Sequence, residues 1–308
     1  MRSYAGYLFI FLAATCWGLT GPVGRFAMEG GVAPLEVAFW RAAWGAFFFL
    51  LYAARARVLK LEAKSDILVF MIFGACAQGG FFACYQYAIQ TGGAALAAVL
   101  LYTAPAWVAV FSRLFFKERM NAVKLAAIAV SLGGVALISL SSGGAATDAQ
   151  APGTGLALTG ILFGLLSGLL YSTHYVFSKK YLARYSTYTM YGYAMLFGMF
   201  TLLPFINFSH KSLFQWAVLL FLGFICTAMA YWAYCEGIKR LEATKAAVLA
   251  TLEPVVATAA AWWIWQESFA LAGWFGAALV IGAVLLLILD PGRRGAAAQS
   301  PGPASQAS

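Results

Sequence analysis

Charged residues are scarce in this sequence, at 10% of its 308 residues against roughly 25% in soluble globular domains. The three aspartates, Asp66, Asp148 and Asp290, all lie outside the middle of the apolar stretches, which excludes a buried aspartate pair. The two histidines, His174 and His210, cannot form an H-E-x-x-H zinc site. Five cysteines lie within apolar stretches and show neither a disulfide framework nor metal-ligand spacing. The composition therefore indicates no metal or cofactor site.

Apolar residues are abundant instead, at 63% of the chain. They form long stretches, and about 20 apolar residues in a helix cross a bilayer core about 30 Å thick. Because the connections between stretches are short, no sizeable soluble domain fits between them. We predict an all-α integral membrane protein with ten transmembrane helices, at about 4–26, 34–53, 67–89, 94–116, 122–140, 155–178, 187–205, 213–238, 243–265 and 270–289.

The basic residues indicate how these helices are oriented. The net charge is +9, but seventeen of the twenty lysines and arginines fall in segments that share one side of the membrane. The other three are Arg25, Arg41 and Lys211. This is the bias of the positive-inside rule, and it predicts that both termini are cytoplasmic. The excess charge is thus explained by orientation and does not indicate a nucleic-acid partner.

A repeat relates the two halves of the chain. Residues 97–100, followed by Pro105, return as residues 246–249, followed by Pro254, which is a shift of 149 positions (254 − 105 = 149). The same ungapped shift carries Gly74 onto Gly223, Gln78 onto Thr227, Tyr85 onto Tyr234, Glu118 onto Glu267 and Gly133 onto Gly282. Such a match indicates an ancestral duplication.

The repeat predicts the domain organisation. Each half holds five helices, an odd number, so the second half enters the membrane from the opposite side. Two five-helix inverted-topology repeats are typical of secondary transporters, in which the substrate site lies near the midplane between the repeats. We predict a first repeat at 1–140, a Gly/Ala/Ser-rich linker at 141–154, a second repeat at 155–290 and a disordered cytoplasmic tail at 291–308.

These features resemble the ten-helix EamA-type branch of the drug/metabolite transporter superfamily. The residues that carry the resemblance are Cys16-Trp17-Gly18, Arg41, Ala104-Pro105, Lys117-Glu118-Arg119, Leu252-Glu253-Pro254 and Gln266-Glu267, and it covers essentially 1–290. Within that family the chain is most similar to bacterial exporters of aromatic amino acids. The resemblance implies a multi-pass carrier of the bacterial inner membrane that exports small amphipathic metabolites by alternating access. A drug or cationic-compound exporter of the same fold is the alternative.

Aromatic and polar residues recur at helical spacing near the predicted midplane. Gln78, Phe82 and Tyr85 share one face of the third helix, and Tyr171 and His174 share a face of the sixth. Each aromatic alone also fits packing against lipid, but polar partners from both halves favour a shared cavity between helices one, three, four, six, eight and nine. The predicted substrate-binding residues are Trp17, Gln78, Phe82, Tyr85, Tyr102, Tyr171, His174 and Tyr234.

Prolines and one acid stand out inside the predicted spans. Pro22, Pro105 and Pro254 remove backbone hydrogen bonds there, which fits either a static kink or a hinge for alternating access. Glu253 lies at mid-depth, where an ionisable group is costly and is by default a functional hypothesis. It is the candidate for coupling; carrying a proton, attracting an amino group and bonding a freed backbone donor all fit. Its counterpart in the first repeat is Ala104, so the fold does not need the acid.

Other residues have structural interpretations. We expect Glu36 and Arg41 to form an interfacial pair or to extend to the membrane interface, with contact to the substrate as the alternative. We expect Glu118 and Glu267 to cap the helices that follow them. Small residues in the fifth and tenth helices are typical of faces that pack closely. They are Ala129, Gly133 and Gly134 in the fifth helix and Gly273, Gly276, Ala278 and Gly282 in the tenth. These two helices would join the halves or a second protomer, and the oligomeric state stays open.

Rival functions fit the sequence less well. An intramembrane serine hydrolase would use Ser167 and His174, but Leu165 stands where its motif needs glycine. Phosphorylated substrates would require several basic residues in the cavity, and no nucleotide-binding loop is present to make ATP the direct energy source. A channel would require charged or carbonyl rings. The sequence does not distinguish ion-coupled from facilitated transport.

Overall fold

A computed structural model of the chain describes residues 2–141 and 154–290. The predicted tail and all but the two end residues of the predicted linker lie outside these ranges. Within them the chain is helical and contains no strand. The ten helices are α1 (Arg2–Gly18 and Thr20–Glu29), α2 (Pro34–Arg55), α3 (Asp66–Gly74, Ala75–Gly80 and Phe81–Gly92), α4 (Ala94–Leu101 and Ala104–Phe116), α5 (Ala122–Ser141), α6 (Thr154–Tyr181), α7 (Thr187–Leu202), α8 (Leu213–Gly223, Phe224–Met229 and Ala230–Ile238), α9 (Ala243–Ala250 and Leu252–Trp265) and α10 (Leu271–Leu289).

Nine of these ten described helices are long and apolar enough to cross a bilayer, by length and composition. The other is α7, with 16 residues, which continues into a single 3₁₀ turn at Leu203–Phe205. Pro204 lies in that turn and cannot supply the backbone N–H that a continuing α-helix would need. The prediction of an all-α protein with ten membrane helices is confirmed.

The packing of the helices has the exchange symmetry of two related repeats. Helix α5 packs on its counterpart α10, and α2 packs on its counterpart α7. The other large contacts come in exchanged pairs: α3 with α6 and α8 with α1, α4 with α6 and α9 with α1, and α3 with α7 and α8 with α2. A twofold relation between the halves gives this pattern, because every contact of one repeat with the other must occur twice.

Irregularities in the helices recur at the same 149-residue shift. A six-residue π-helical segment, Ala75–Gly80, interrupts α3, and its equivalent Phe224–Met229 interrupts α8. The first segments of α4 and α9, Ala94–Leu101 and Ala243–Ala250, end at equivalent residues. Both helices then finish at a residue with left-handed backbone, Lys117 or Gln266, each with φ 54°. π-Segments are frequent at functional sites. Ala75–Gly80 packs on α6 and α7, and Phe224–Met229 packs on their counterparts α1 and α2.

Close approach of glycines joins the two halves along α5 and α10. A Cβ atom added at Gly134 would lie 2.6 Å from the Gly276 carbonyl oxygen, and one at Gly276 would lie 2.5 Å from that of Gly134. Added Cβ atoms at the neighbouring Gly133 and at Gly282 would meet open space. The prediction that small residues of these two helices join the halves is confirmed for the pair Gly134 and Gly276.

Candidate functional site

A cavity of about 370 Å³ lies between the two repeats, within the roughly 300–1,000 Å³ of small-molecule sites. It starts at mid-depth beside Trp17 and extends to Met28 and Pro34, which flank the α1–α2 loop. We call the side of the protein that carries this loop the open face, and the opposite side, which carries the α2–α3 loop, the closed face. Residues from α1, α2, α3, α4, α6, α8 and α9 line the cavity. Helix α2 is an addition to the predicted set.

Breaks in three helices place side chains at the inner end of this cavity. Helix α1 breaks after Gly18, α4 breaks between Leu101 and Ala104, and α9 breaks at Thr251. One of the three predicted hinge prolines follows each break, in the first turn of the next helical segment. Backbone N–H groups of a first turn have no partner within the helix, so a proline there costs no hydrogen bond. The broken turns expose Tyr102 and Glu253 to the cavity.

Five of the eight predicted substrate-binding residues line the cavity: Trp17, Phe82, Tyr85, Tyr102 and Tyr171. Their rings come from four helices and both repeats. Tyr231, which the sequence analysis omits, also lines it and packs its ring 5.2 Å from that of Trp17. The signal for Tyr231 was its position, 149 residues after Phe82, in the same register as the other repeat matches.

The other three predicted residues lie behind the cavity wall. Gln78 is buried and donates to the Tyr231 hydroxyl at 3.4 Å. His174 is buried as well, with Nε2 2.9 Å from the Ala77 carbonyl oxygen, and the Tyr234 hydroxyl donates to the His174 carbonyl at 3.2 Å. The rings of His174 and Tyr231 are 5.5 Å apart, and so are those of Tyr234 and Trp17. The three residues therefore support the lining rather than form it.

Arg41 occupies the cavity, and the expected pair with Glu36 is wrong. Glu36 instead forms an ion pair with Lys211 and accepts hydrogen bonds from the Ser209 backbone and hydroxyl, because the α7–α8 loop folds over the start of α2. Arg41 lies further along α2, donates from Nε to the Thr227 hydroxyl at 3.3 Å, and lines the cavity. The sequence did contain a signal for this position: Arg41 lies too deep in the predicted span for its side chain to extend to the membrane interface.

Glu253 is the acidic residue of the cavity. It lies in the first turn of the second segment of α9, is partly buried, and interacts with the Tyr102 hydroxyl. Arg41 is close enough for the two charges to attract each other. Among the described residues that line the cavity, Arg41 and Glu253 are the charged ones, and their charges are opposite.

The closed face is held by contacts between the repeats. The Glu118 carboxylate accepts hydrogen bonds from the backbone N–H of Ala243 at 2.9 Å and from the Thr244 hydroxyl at 2.9 Å. Beside it, Lys124 forms an ion pair with Glu242 at 2.8 Å. Glu118 thus caps α9 of the other repeat, and the expectation that it caps α5 is wrong. All eight residues of the capped segment Ala243–Ala250 are buried.

The open face lacks the equivalent cap within the described residues. Glu267, the counterpart of Glu118, pairs with Arg25 at 2.6 Å rather than capping α10 as expected. The equivalent segment of α4, Ala94–Leu101, has only Ala97 and Leu101 buried. The two ends of the cavity therefore differ, although the repeats that form them are related.

Ser167 and His174 do not form a catalytic pair. The Ser167 hydroxyl donates to the Gly164 carbonyl at 2.7 Å, and both ring nitrogens of His174 contact other groups, Ala77 and Tyr191. Among the side chains that the structure describes, no group of three or more His, Cys, Asp or Glu residues is placed to hold a metal ion.

Several known proteins are similar to this chain along most of its length. An uncharacterized transporter of Clostridium kluyveri is 28% identical over 292 residues, covering 92% of this chain and 91% of the relative. An uncharacterized transporter of Archaeoglobus fulgidus is 29% identical, covering 87% and 92%. The uncharacterized inner membrane transporter YicL of Salmonella typhimurium is 25% identical, covering 95% and 98%. A solved crystal structure with 19% identity shares the fold, with a TM-score of 0.78 over 93% of this chain and 97% of that chain.

The model of the EamA-like transporter family matches the sequence twice, at residues 4–140 and 158–289. The two matches correspond to the two sets of five helices that enclose the cavity. The chain is a membrane transporter and belongs to the EamA-like transporter family.

Proposed function

We propose that this transporter exports small amphipathic metabolites, with aromatic amino acids as the substrate class. The observation that carries the proposal is a cavity at mid-depth, built by both repeats, which is open at one face and closed at the other. A carrier requires such a site, because the substrate must be reachable from one side at a time. A pore would be continuous between the two faces.

The lining favours an aromatic substrate. The indole of Trp17 and the phenol groups of Tyr85, Tyr102, Tyr171 and Tyr231 line a space of about 370 Å³. Aromatic pairs gain about 0.5–1.5 kcal/mol beyond the area that they bury. A solute with one aromatic ring and a few polar atoms is matched by stacking together with hydrogen bonds from the tyrosine hydroxyls.

Export requires a particular orientation in the bacterial cytoplasmic membrane. The bias of lysine and arginine supports cytoplasmic termini, which makes the open face periplasmic. The structure then corresponds to the state that releases the substrate outside. Loading from the cytoplasm needs a second state in which the closed face opens.

The differences between the two ends suggest how that second state forms. In it the two repeats exchange conformations: Glu118 leaves α9, and Glu267 leaves Arg25 and caps the first turn of α4 at Ala94. Pro105 and Pro254 follow the breaks in α4 and α9, so these two helices bend where they have few hydrogen bonds to lose. The prolines are the hinges of this proposal.

Glu253 is the proposed coupling residue. It is a carboxylate at mid-depth in the cavity, beside Tyr102, where it can hold a proton when the site is empty and release it when a substrate binds. Entry of a proton would then drive exit of a substrate. The same carboxylate also makes a cationic drug the second candidate substrate, since an anion in an aromatic cavity binds such compounds.

Counterflow in proteoliposomes tests the proposal. Vesicles that contain the full chain are loaded with an unlabelled amino acid or a cationic drug, and entry of labelled phenylalanine is followed. Faster entry with aromatic amino acids inside is the expected result. No acceleration by any aromatic amino acid, in a sample shown to be folded and inserted, would remove aromatic amino acids as the substrate class, and acceleration by cationic drugs alone would establish the second candidate.

A further inference from the structure

We infer that Arg41 and Glu253 together form a binding site for the charged head of a zwitterion, with Arg41 taking the carboxylate and Glu253 the ammonium group. This inference rests on the proposed function, since it assigns the recognition of the substrate within the same cavity. It also decides between the two candidate substrate classes, because a zwitterion needs both charges and a cationic drug needs only one.

The two residues are the charged members of the cavity lining as the structure describes it. Neither takes part in an ion pair in the described parts of the chain, whereas Arg25, Glu36 and Glu236 each have an ionic partner. Two opposite charges that face a common space without touching leave room for a ligand that carries the complementary pair. A zwitterion that binds both residues neutralises each of their charges and brings no net charge into the membrane.

The hydrogen bonds of Arg41 orient it for a carboxylate. Its Nε donates to the Thr227 hydroxyl at 3.3 Å, and its guanidinium carbon lies 5.8 Å from the centre of the Phe82 ring. A guanidinium has five N–H donors, so the Nη groups keep donors for a planar, bidentate contact. Thr227 lies in the π-helical segment of α8, which places its hydroxyl toward α2.

Glu253 supplies the opposite charge from the other repeat. It lines the cavity together with Tyr102, at the break in α4. Its counterpart in the first repeat is Ala104, so the repeat does not need a carboxylate for its fold. Arg41 belongs to the first repeat and Glu253 to the second, so the ligand would bridge the two halves. The rings of Trp17 and Tyr85 then lie beside the apolar part of the ligand.

Analogues of phenylalanine that lack one charge test the assignment on the unaltered protein. Phenethylamine has no carboxylate and 3-phenylpropanoate has no amino group. Each leaves one cavity charge without its partner, and losing one half of such a desolvated pair costs about thirtyfold or more in affinity. In proteoliposomes with the full chain, we expect unlabelled phenylalanine to drive counterflow of labelled phenylalanine and both analogues to compete about thirtyfold less well.

Variants assign each charge to its residue. Arg41→Gln should weaken the binding of phenylalanine and leave that of phenethylamine unchanged, because phenethylamine has no carboxylate. Glu253→Gln should weaken the binding of phenylalanine and leave that of 3-phenylpropanoate unchanged, because 3-phenylpropanoate has no amino group. If the residue had a purely structural role, its substitution would lower the affinities for all three ligands together. The readout is therefore the ratio of the affinity for each analogue to the affinity for phenylalanine. Arg55→Gln is the matched control, because Arg55 ends the same helix, is exposed and does not line the cavity. Arg41→Lys, which keeps the charge, replaces Arg41→Gln if the latter does not fold.

Each outcome separates this inference from the proposed function. Phenylalanine counterflow with equal competition by both analogues overturns the zwitterion site and leaves the export of aromatic compounds standing. Counterflow with leucine but not phenylalanine removes the aromatic preference and supports the zwitterion site. Failure of every amino acid overturns both, and ratios that do not change in the variants overturn the assignment to Arg41 and Glu253.

Discussion

Glu118 and Glu267 occupy equivalent positions in the two repeats, but only Glu118 holds the first turn of a helix in the opposite repeat. Its carboxylate accepts the Ala243 N–H at 2.9 Å, whereas Glu267 pairs with Arg25 at 2.6 Å. Each glutamate follows a residue in left-handed conformation that ends its helix. Since the backbone geometry is the same in both, the difference lies in which end of the cavity is closed.

The first prediction concerns Glu118→Ala. The change removes an acceptor from the first turn of α9, which is worth about 0.5–2 kcal/mol for a helix cap. We expect the closed face to open more often, so that the ratio of this state to the state with the closed face open falls by about fivefold for a loss of 1 kcal/mol. The measurement is the rate at which an impermeant maleimide labels Gly21→Cys from the open face of a chain without other cysteines. Gly21 lines the cavity, and a Cβ atom added there meets no atom within 4 Å.

Glu267→Ala is the matched control for Glu118→Ala. Its partner at the open face, Arg25, also pairs with Glu29, so the contact is shared and exposed, and such pairs contribute about 0–1 kcal/mol. We expect labelling from the open face to stay the same or to rise. A fall in labelling with both variants would contradict the exchange of caps between the repeats.

The second prediction compares two tyrosines of α3. Tyr85 lines the cavity, and Tyr87, two positions later, is 45% exposed and packs on Phe163 away from the cavity. We expect Tyr85→Ala to lower phenylalanine counterflow by about tenfold, because stacking and burial of the ligand ring are both lost. Tyr87→Ala should transport as the parent does. Equal effects of the two variants, at equal expression, would remove Tyr85 from the substrate site.

The third prediction concerns the interface of α5 and α10. Gly134→Ala places a methyl group 2.6 Å from the Gly276 carbonyl oxygen, so the helices must separate, at about 1–3 kcal/mol for overpacking. Thermal unfolding in detergent should occur at a lower temperature. Gly133→Ala, one residue earlier, meets open space and should leave that temperature unchanged or raise it slightly. If Gly133→Ala lowered the unfolding temperature as much as Gly134→Ala, then α5 would be sensitive to an added methyl group on any face, and the contact with Gly276 would not be the cause.

The spans and the repeat could be predicted from the sequence because they depend on local composition and on spacing. The predicted 243–265 and 94–116 match the helices to the residue, including the prolines within them. The side chains that line a mid-depth cavity could be selected only in part. Helical spacing identifies the face that carries Gln78 and Tyr85 but not which of the two reaches the cavity, because the neighbouring helices decide that.

Contacts between the repeats could not be predicted from the sequence. Arg41 is only a few residues from Glu36 in the sequence, but Glu36 forms its ion pair with Lys211. Lys211 is distant in the sequence and reaches Glu36 over the start of α2. Glu118 likewise caps a helix more than a hundred residues later, since |i−j| to Ala243 is 125. Charge pairing depends on three-dimensional neighbours, and sequence separation carries no information about them here.

The last prediction concerns coupling through Glu253. If the carboxylate exchanges one proton for one substrate, a difference of one pH unit across the membrane changes the substrate accumulation ratio by about tenfold. We expect this response in the unaltered protein and its loss in Glu253→Gln, whose amide cannot carry a proton. Glu236→Gln is the control, because Glu236 pairs with Lys239 at 2.6 Å and Arg240 at 2.7 Å away from the cavity. A pH response that persists in Glu253→Gln would assign the proton to another group, and a response absent from the unaltered protein would make transport facilitated rather than proton-coupled.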